Sequence, residues 1–322
     1  MRFTRRAFLA GAGSSALGGP LSAASGSKTI EGPAFGSTWR AVIEPAHDPI
    51  RMRAALQAVI ASVDAAMSPF RTDSEITRFN TSDSTDWYAL SKPTCDVIAQ
   101  ALDTAKATAG AFDPTVGGIV GQYGFGPIAR RSKGNHTGIS QRTGAVRKVL
   151  PDLTLDLCGI AKGHALDRMI VEIETSGAKD FIVEVGGEVS ARGRHPSGRP
   201  WRAGIENPET GGSTFQRVVM LNGEALATSG DRVNSYVSNG RRYSHLVDPH
   251  RRRPADSRLA SVSVLAPTAT RADAMATALY AMGHEAGPEF AETLGLPAVF
   301  LVRDRAGIRE ISTGSFAARI LA

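Results

Sequence analysis

An α+β fold is predicted by three features of this sequence. Apolar residues recur at helical spacing, most clearly Met52, Leu56, Val59, Ile60, Val63 and Met67. Short strand-like runs crowd residues 181–265, and Asn239-Gly240 between two of them is a strong two-residue hairpin signal. Hairpins mixed with helices, rather than strands alternating regularly with helices, argue against a doubly wound parallel sheet.

The elements follow in order. A strand is expected at 39–43, then the helix through Met52 and Met67. A second helix runs from about 93 to 109, with Val97, Ile98, Ala101, Leu102 and Ala105 inward and Gly110 as its stop. The polar stretch 130–142 reads as a surface loop. A third helix spans about 162–176, ended by Gly177. Strands follow at 181–185, 201–206, 217–221, 233–238 and 241–247. A strand at 259–265 feeds a helix at 271–282. The chain closes with a helix at 288–294, a strand at 298–302, a turn at 304–307 and a strand at 308–312. No repeat of fixed period is present.

Composition narrows the function classes. The 322 residues allow one large domain or two ordinary ones, and 21% charged residues exclude wholesale disorder. Two cysteines exclude a disulfide-stapled scaffold; Cys95 and Cys158 read as core thiols. The net charge is +6, but three of those charges, Arg2, Arg5 and Arg6, sit at the N-terminus, so the remainder carries no footprint for nucleic acid. No uninterrupted apolar run reaches the roughly 18 residues of a membrane span, so the mature protein is not expected to cross a membrane.

Residues 1–24 have the parts of an export signal: basic residues, a Gly- and Ala-rich apolar stretch, then Ser22-Ala23-Ala24. Thr4-Arg5-Arg6-Ala7-Phe8-Leu9 matches a twin-arginine signal, which places the mature chain, 25–322, in the periplasm. Gly11-Ala12-Gly13-Ser14-Ser15-Ala16 imitates a dinucleotide fingerprint, but no strand precedes it and no βαβ unit surrounds it.

Serine-hydrolase, zincin and P-loop motifs are absent. What remains is a set of polar segments. Gly110–Gly118 is a Gly-flanked loop presenting Asp113. Asp156–Gly163 turns a strand into a helix, where free backbone N–H groups and Lys162 can meet an anion. Residues 227–231 and Tyr243-Ser244-His245 lie on β elements. Asp273 and Thr277 stand i, i+4 on one helix face, so their oxygens can converge on a hard cation such as Mg²⁺. Taken singly, each has a plain structural reading: an ordinary turn, a satisfied strand histidine, an exposed acid beside a helix back-bond.

As an ordered set, these segments resemble the ApbE-type FAD:protein FMN transferases. The matching pieces are Phe35-Gly36-Ser37-Thr38-Trp39; Met67 to Glu75 with Arg78-Phe79-Asn80; Gly110 to Gly117; Asp156 to Gly163; Glu184-Val185-Gly186-Gly187-Glu188; Ala227 to Asp231; Tyr243 to Pro249; and Ala272 to Ala278. The resemblance covers nearly the whole mature chain and includes an exported, NosX-type branch. It implies a single compact α+β unit holding FAD and Mg²⁺ in a cleft. Asp273, Thr277 and the Gly159 carbonyl match the metal ligands. Ala111, Phe112 and Asp113 match the nucleotide-holding loop. Phe35, Phe70, Lys162, Thr228, His245 and Val247 match cleft positions. Phe35 stands where many members have Met, Phe70 where many have Tyr, and Cys158 and Arg252 where many have Gly.

The implied reaction moves FMN from FAD to a threonine hydroxyl of a target protein and releases AMP, with His245 as candidate base. The implied target is a subunit of a membrane or periplasmic redox complex. Two alternatives use the same cleft: Mg²⁺-dependent hydrolysis of FAD to FMN and AMP, and non-catalytic FAD binding by an exported protein.

Overall fold

The computed structural model describes residues 27–130, 132, 134–210 and 214–321. The export segment at 1–24, with Arg5-Arg6 and the Gly11 fingerprint, lies outside the described residues. In chain order the elements are β1 (Lys28–Ala34), β2 (Ser37–Ile43), α1 (Pro49–Met67), α2 (Glu75–Thr81), β3 (Tyr88–Ala89), α3 (Lys92–Ala107), α4 (Gly117–Gln122), β4 (Ile139–Arg142), β5 (Ala145–Lys148), α5 (Ala161–Thr175), β6 (Phe181–Val185), β7 (Glu188–Arg192), β8 (Trp201–Glu206), β9 (Phe215–Leu221), β10 (Ala225–Gly230), β11 (Ser235–Ser238), β12 (Arg241–Ser244), β13 (Val247–Asp248), β14 (Arg253–Pro254), β15 (Leu259–Ala266), α6 (Ala269–Thr293), β16 (Ala298–Asp304) and β17 (Gly307–Thr313).

Eight strands form one sheet in the order β1-β2-β6-β7-β10-β15-β16-β17, and neighbours run antiparallel. Alternation along each strand sends side chains to two different cores. Trp39, Ala41, Phe181, Val183, Ala225, Ala227, Val262, Val264 and Phe300 face α1, α3, α5 and α6. Val42, Ile182, Leu226, Leu265, Val299 and Leu301 face the β8–β9 hairpin and Phe316. A sheet covered on both faces explains why all of β15 and the first five residues of β16 are buried.

The expected helices and hairpins are present, with shifted ends. The Asn239-Gly240 turn has φ of 50° and 73°, the left-handed pair that a two-residue hairpin requires. The two helices expected at 271–282 and 288–294 join as α6, broken at Gly283, where φ is 86° and ψ −172°. The stretch 130–142 is not a plain surface loop: Ile139 is buried and residues 139–142 form β4, which Gly144 (φ 71°) turns onto β5. Cys95 is a core thiol as expected; Cys158 is exposed, in the turn that leads into α5.

Candidate active site

The site is built where the N-termini of α5 and α6 cross. Gly163 permits the crossing: a Cβ there would lie 2.2 Å from the carbonyl oxygen of Ala269. Asp273 of α6 accepts a 2.9 Å hydrogen bond from the backbone N–H of Gly163. Asp167 of α5 accepts from the N–H groups of Ala269 (2.8 Å) and Thr270 (2.9 Å), and from the Thr270 hydroxyl (2.6 Å). Each helix thus supplies the carboxylate that satisfies the other's first turn.

Asp273 is only 3% exposed, so it is a buried carboxylate and not the helix-surface acid that its i, i+4 pattern alone implied. Burial raises its pKa, while Lys162 and the Gly163 N–H pull it back down. One turn later, the Thr277 hydroxyl lies 3.4 Å from the Gly159 carbonyl oxygen and 3.5 Å from the Ser229 hydroxyl. A Cβ on Gly159 would sit 3.1 Å from Thr277 and 3.3 Å from the Phe112 ring, so glycine keeps that carbonyl in place. Asp273, Thr277 and the Gly159 carbonyl form an all-oxygen donor set on neighbouring backbone. Among the described residues no three His, Cys, Asp or Glu side chains gather as a metal cluster. One carboxylate with neutral oxygens suits a cation that takes its other ligands from phosphate and water, as Mg²⁺ does.

The turn expected to meet an anion keeps part of its N–H set engaged inside the protein. The Cys158 N–H donates to Asp156, the Ile160 and Ala161 N–H groups to the Leu157 carbonyl, and Gly163 to Asp273. The Lys162 side chain adds a full positive charge at this turn. Lys162 contacts Glu188, which is 1% exposed and leaves its second carboxylate oxygen, Oε2, without a hydrogen-bond partner. Desolvation pulls the lysine pKa down, but Glu188 and Asp273 outweigh it and hold Lys162 protonated. Burial pushes the Glu188 carboxyl up, with Lys162 pulling the other way. The Gly186-Gly187 turn, both residues at positive φ, brings this glutamate to the lysine. The Phe35-Gly36 turn stands nearby: an ideal Cβ on Gly186 would lie 3.9 Å from Ser37 and 3.5 Å from Lys162.

The 110–118 loop packs against the same turn through a 2.7 Å bond from the Asp156 N–H to the Pro114 carbonyl. Asp113 accepts from the Thr115 N–H (2.8 Å), the Thr115 hydroxyl (2.6 Å) and the His136 N–H (3.2 Å), which fixes the loop. Ala111 and Phe112 are buried beneath it. His245 follows β12, with Nδ1 3.3 Å from the Asn234 carbonyl. That contact assigns the proton to Nδ1 and leaves Nε2 as an acceptor. Desolvation, reinforced by the Lys162 charge, lowers its pKa to about 4, so the ring is neutral at neutral pH.

A family model for the ApbE family matches residues 35–300. The chain belongs to the ApbE family. It is 34% identical over 303 residues to the FAD:protein FMN transferase of Vibrio cholerae serotype O1, covering 89% of this chain and 91% of that one. Identity to the Escherichia coli K12 FAD:protein FMN transferase is also 34%, over 85% of this chain and 83% of that one. The apo Pseudomonas stutzeri flavinyl transferase ApbE superposes with a TM-score of 0.84 at 30% identity, covering 92% and 97% of the two chains. The V. cholerae flavin transferase ApbE gives a TM-score of 0.82 at 32% identity, covering 91% and 99%.

Within this ApbE fold, not every expected position faces the same spot. Thr228 bonds Ser263 at 2.7 Å across β10–β15, on the sheet face opposite α6. Alternation turns its neighbour Ser229 toward Thr277 instead. Phe70 is 65% exposed in the turn between α1 and α2, and Val247 is buried in the β13–β14 pair. Asp231 is structural: it is fully buried and bidentate with Arg303 at 2.7 and 2.8 Å. The roles of Ser229, Glu188 and Asp167 went unassigned in the sequence. The Gly-Gly turn before Glu188 was the available signal for one of them.

Proposed function

We propose that this chain is an FAD:protein FMN transferase, moving FMN from FAD onto a threonine hydroxyl of a target protein and releasing AMP. The observation carrying this reading is the Thr277 hydroxyl 3.4 Å from the Gly159 carbonyl, one helical turn from the buried Asp273, whose charge acts on the Lys162 ammonium. One buried carboxylate, neutral oxygens and a lysine make a site fit for a pyrophosphate and a hard cation.

Asp273, Thr277 and the Gly159 carbonyl are the residues that would hold Mg²⁺, which neutralises charge on phosphate oxygens when bound. Lys162 adds a fixed positive charge toward the same pyrophosphate. The ordered 110–113 loop cradles the nucleotide, and Phe35 and Phe70 offer apolar surface to its rings. His245 accepts the threonine proton at Nε2 as the threonine oxygen bonds to the FMN phosphorus. The pyrophosphate P–O bond breaks, and AMP leaves with the bridging oxygen and its electron pair. Positioning and charge neutralisation carry most of such a transfer.

Hydrolysis is the competing reading, because a base that takes a proton from a threonine hydroxyl can take one from water as well. The test is incubation with FAD and Mg²⁺, with and without candidate target proteins, scored for AMP and for covalent flavin fluorescence on a gel. AMP together with a fluorescent target is the expected result. AMP alone assigns a hydrolase, and neither product assigns a binding protein.

The same reading extends to location. The Arg5-Arg6 pair supports twin-arginine export to the periplasm, and a target in a membrane or periplasmic redox complex fits that location. Among the described residues no helix is long and apolar enough to cross a membrane. Replacing Arg5 and Arg6 by Lys should hold the precursor in the cytoplasm; an unchanged periplasmic yield would overturn the assignment.

A further inference from the structure

The β11–β12 ribbon stands apart from the main sheet, and among the described residues its strands pair only with each other. Its surface is unusual for an exposed ribbon. Tyr236 is 43% and Val237 62% exposed. A ladder of rings runs through it: Tyr123 stacks on Tyr243 (6.3 Å), Tyr243 on Tyr236 (5.4 Å), and Tyr236 on Phe125 (5.3 Å). Phe125 then meets the His245 ring edge-on at 6.4 Å. The ladder therefore ends at the candidate base. Its ring faces already cover one another, so what it leaves open is ring edges and Val237. Such a surface fits a polypeptide better than another flat ring.

Charge gives the ribbon a sign. β12 carries two arginines, Arg241 and Arg242, and neither ribbon strand carries an acid. Arg242 bonds the Ser235 hydroxyl at 2.9 Å and lies 3.7 Å from Asp231. Arg241 is exposed over the Tyr243 ring at 5.3 Å, and among the described residues no carboxylate pairs with it.

We propose that this ribbon is the docking surface for the acceptor segment of the target protein. The occupant is an extended segment with an apolar residue against Val237 and Tyr236 and an acidic residue opposite Arg241, which leads its threonine to His245. The proposal rests on the transferase reading and adds the chemistry of the partner. Exposed aromatic and apolar side chains supply contact area, and the arginine supplies selection by charge.

The test uses the full mature chain with FAD, Mg²⁺ and three synthetic peptides, each with one central threonine and an apolar neighbour. Their flanks are acidic, neutral or basic, and FMN addition is read by mass. The acidic peptide should be modified fastest. Arg241→Glu should slow it on the order of tenfold and favour the basic peptide instead. Val237→Ser should raise KM for all three, and FAD affinity, read from flavin fluorescence, should stay unchanged in both variants. Equal modification of all three peptides, or AMP release with none modified, would overturn the docking surface while leaving FAD cleavage intact. A parallel loss of FAD affinity in Arg241→Glu would reassign the ribbon to the FAD site. Wild-type protein that releases no AMP and modifies nothing would instead sink the transferase reading itself.

Discussion

Asp273 and Asp167 exchange duties across the α5–α6 crossing: Asp273 accepts the Gly163 N–H of α5, and Asp167 accepts the Ala269 and Thr270 N–H groups of α6. The carboxylate proposed for the metal therefore also holds the backbone that presents it. Lys162 and the Gly159 carbonyl lie within four residues of that bond, so one interaction fixes three parts of the site. Removing Asp273 must be read as two losses, one of charge and one of a buried acceptor.

The choice of substitution separates those losses. Asp273→Asn keeps an oxygen for the Gly163 N–H and removes the charge. We expect a folded protein whose transfer no longer responds to Mg²⁺. Asp273→Ala leaves a buried donor without a partner and should cost roughly 1–3 kcal/mol, seen as a Tm lower by several degrees. AMP release against Mg²⁺ concentration and thermal melts followed by circular dichroism give both readouts. Full activity of the Asn variant with unchanged Mg²⁺ dependence sinks the metal assignment.

Asp167→Ala is the matched control. It strips the Ala269 and Thr270 N–H groups of their acceptor without touching the proposed metal donors. Its Tm should fall by an amount similar to that of Asp273→Ala, while transfer per folded molecule keeps its Mg²⁺ dependence. A lost Mg²⁺ response would place Asp167 in the site after all.

His245 predicts a pH profile. Its folded pKa lies near 4 because desolvation and Lys162 disfavour the charged ring, so the base form is present above that pH. The acid limb of transfer should appear near 4 and not near 6.5, with no His245-dependent change between 6 and 8. His245→Ala should lower transfer by about 10²–10⁴-fold while FAD affinity holds. An acid limb centred at 6.5 contradicts the neutral-imidazole reading.

The sequence made the frame legible where local chemistry acts alone. The Asn239-Gly240 turn, the Gly110 and Gly177 stops and the face from Met52 to Met67 all encode themselves within a few residues. Partnerships across the chain were hidden. Nothing near Asp273 announces Gly163, which is 110 residues away, and nothing near Asp231 announces Arg303. β7 escaped notice because Glu188 and Ser190 break the apolar pattern of a strand that the sheet nevertheless buries. Thr228 and Ser229 also look equivalent until strand register gives each a face. Arg252, at φ 53°, adopts the left-handed conformation that glycine would take, so the substitution preserves the turn at a cost of about 1–2 kcal/mol.

Glu184 yields a prediction about stability. It lies on β6, is buried, and accepts a 2.8 Å bond from the Gly187 N–H at the turn that delivers Glu188 to Lys162. Burial raises its pKa to about 7, against 4.5 for the free side chain, and the Gly187 bond and Arg40 only partly oppose this. The folded state therefore binds the proton more tightly than the unfolded chain. Its stabilising contribution is complete below about 4.5 and is lost as pH rises through about 7. Glu184→Gln retains an oxygen for Gly187 and cannot ionise. Between pH 5 and 8 the wild-type Tm should fall relative to that of Glu184→Gln, by the equivalent of at most about 3 kcal/mol. All other titrating groups are common to the two proteins, so the difference between their Tm–pH curves isolates this carboxyl. Parallel curves would mean that Glu184 ionises near the ordinary value, with water or a cation reaching the Gly186-Gly187 turn from the cleft.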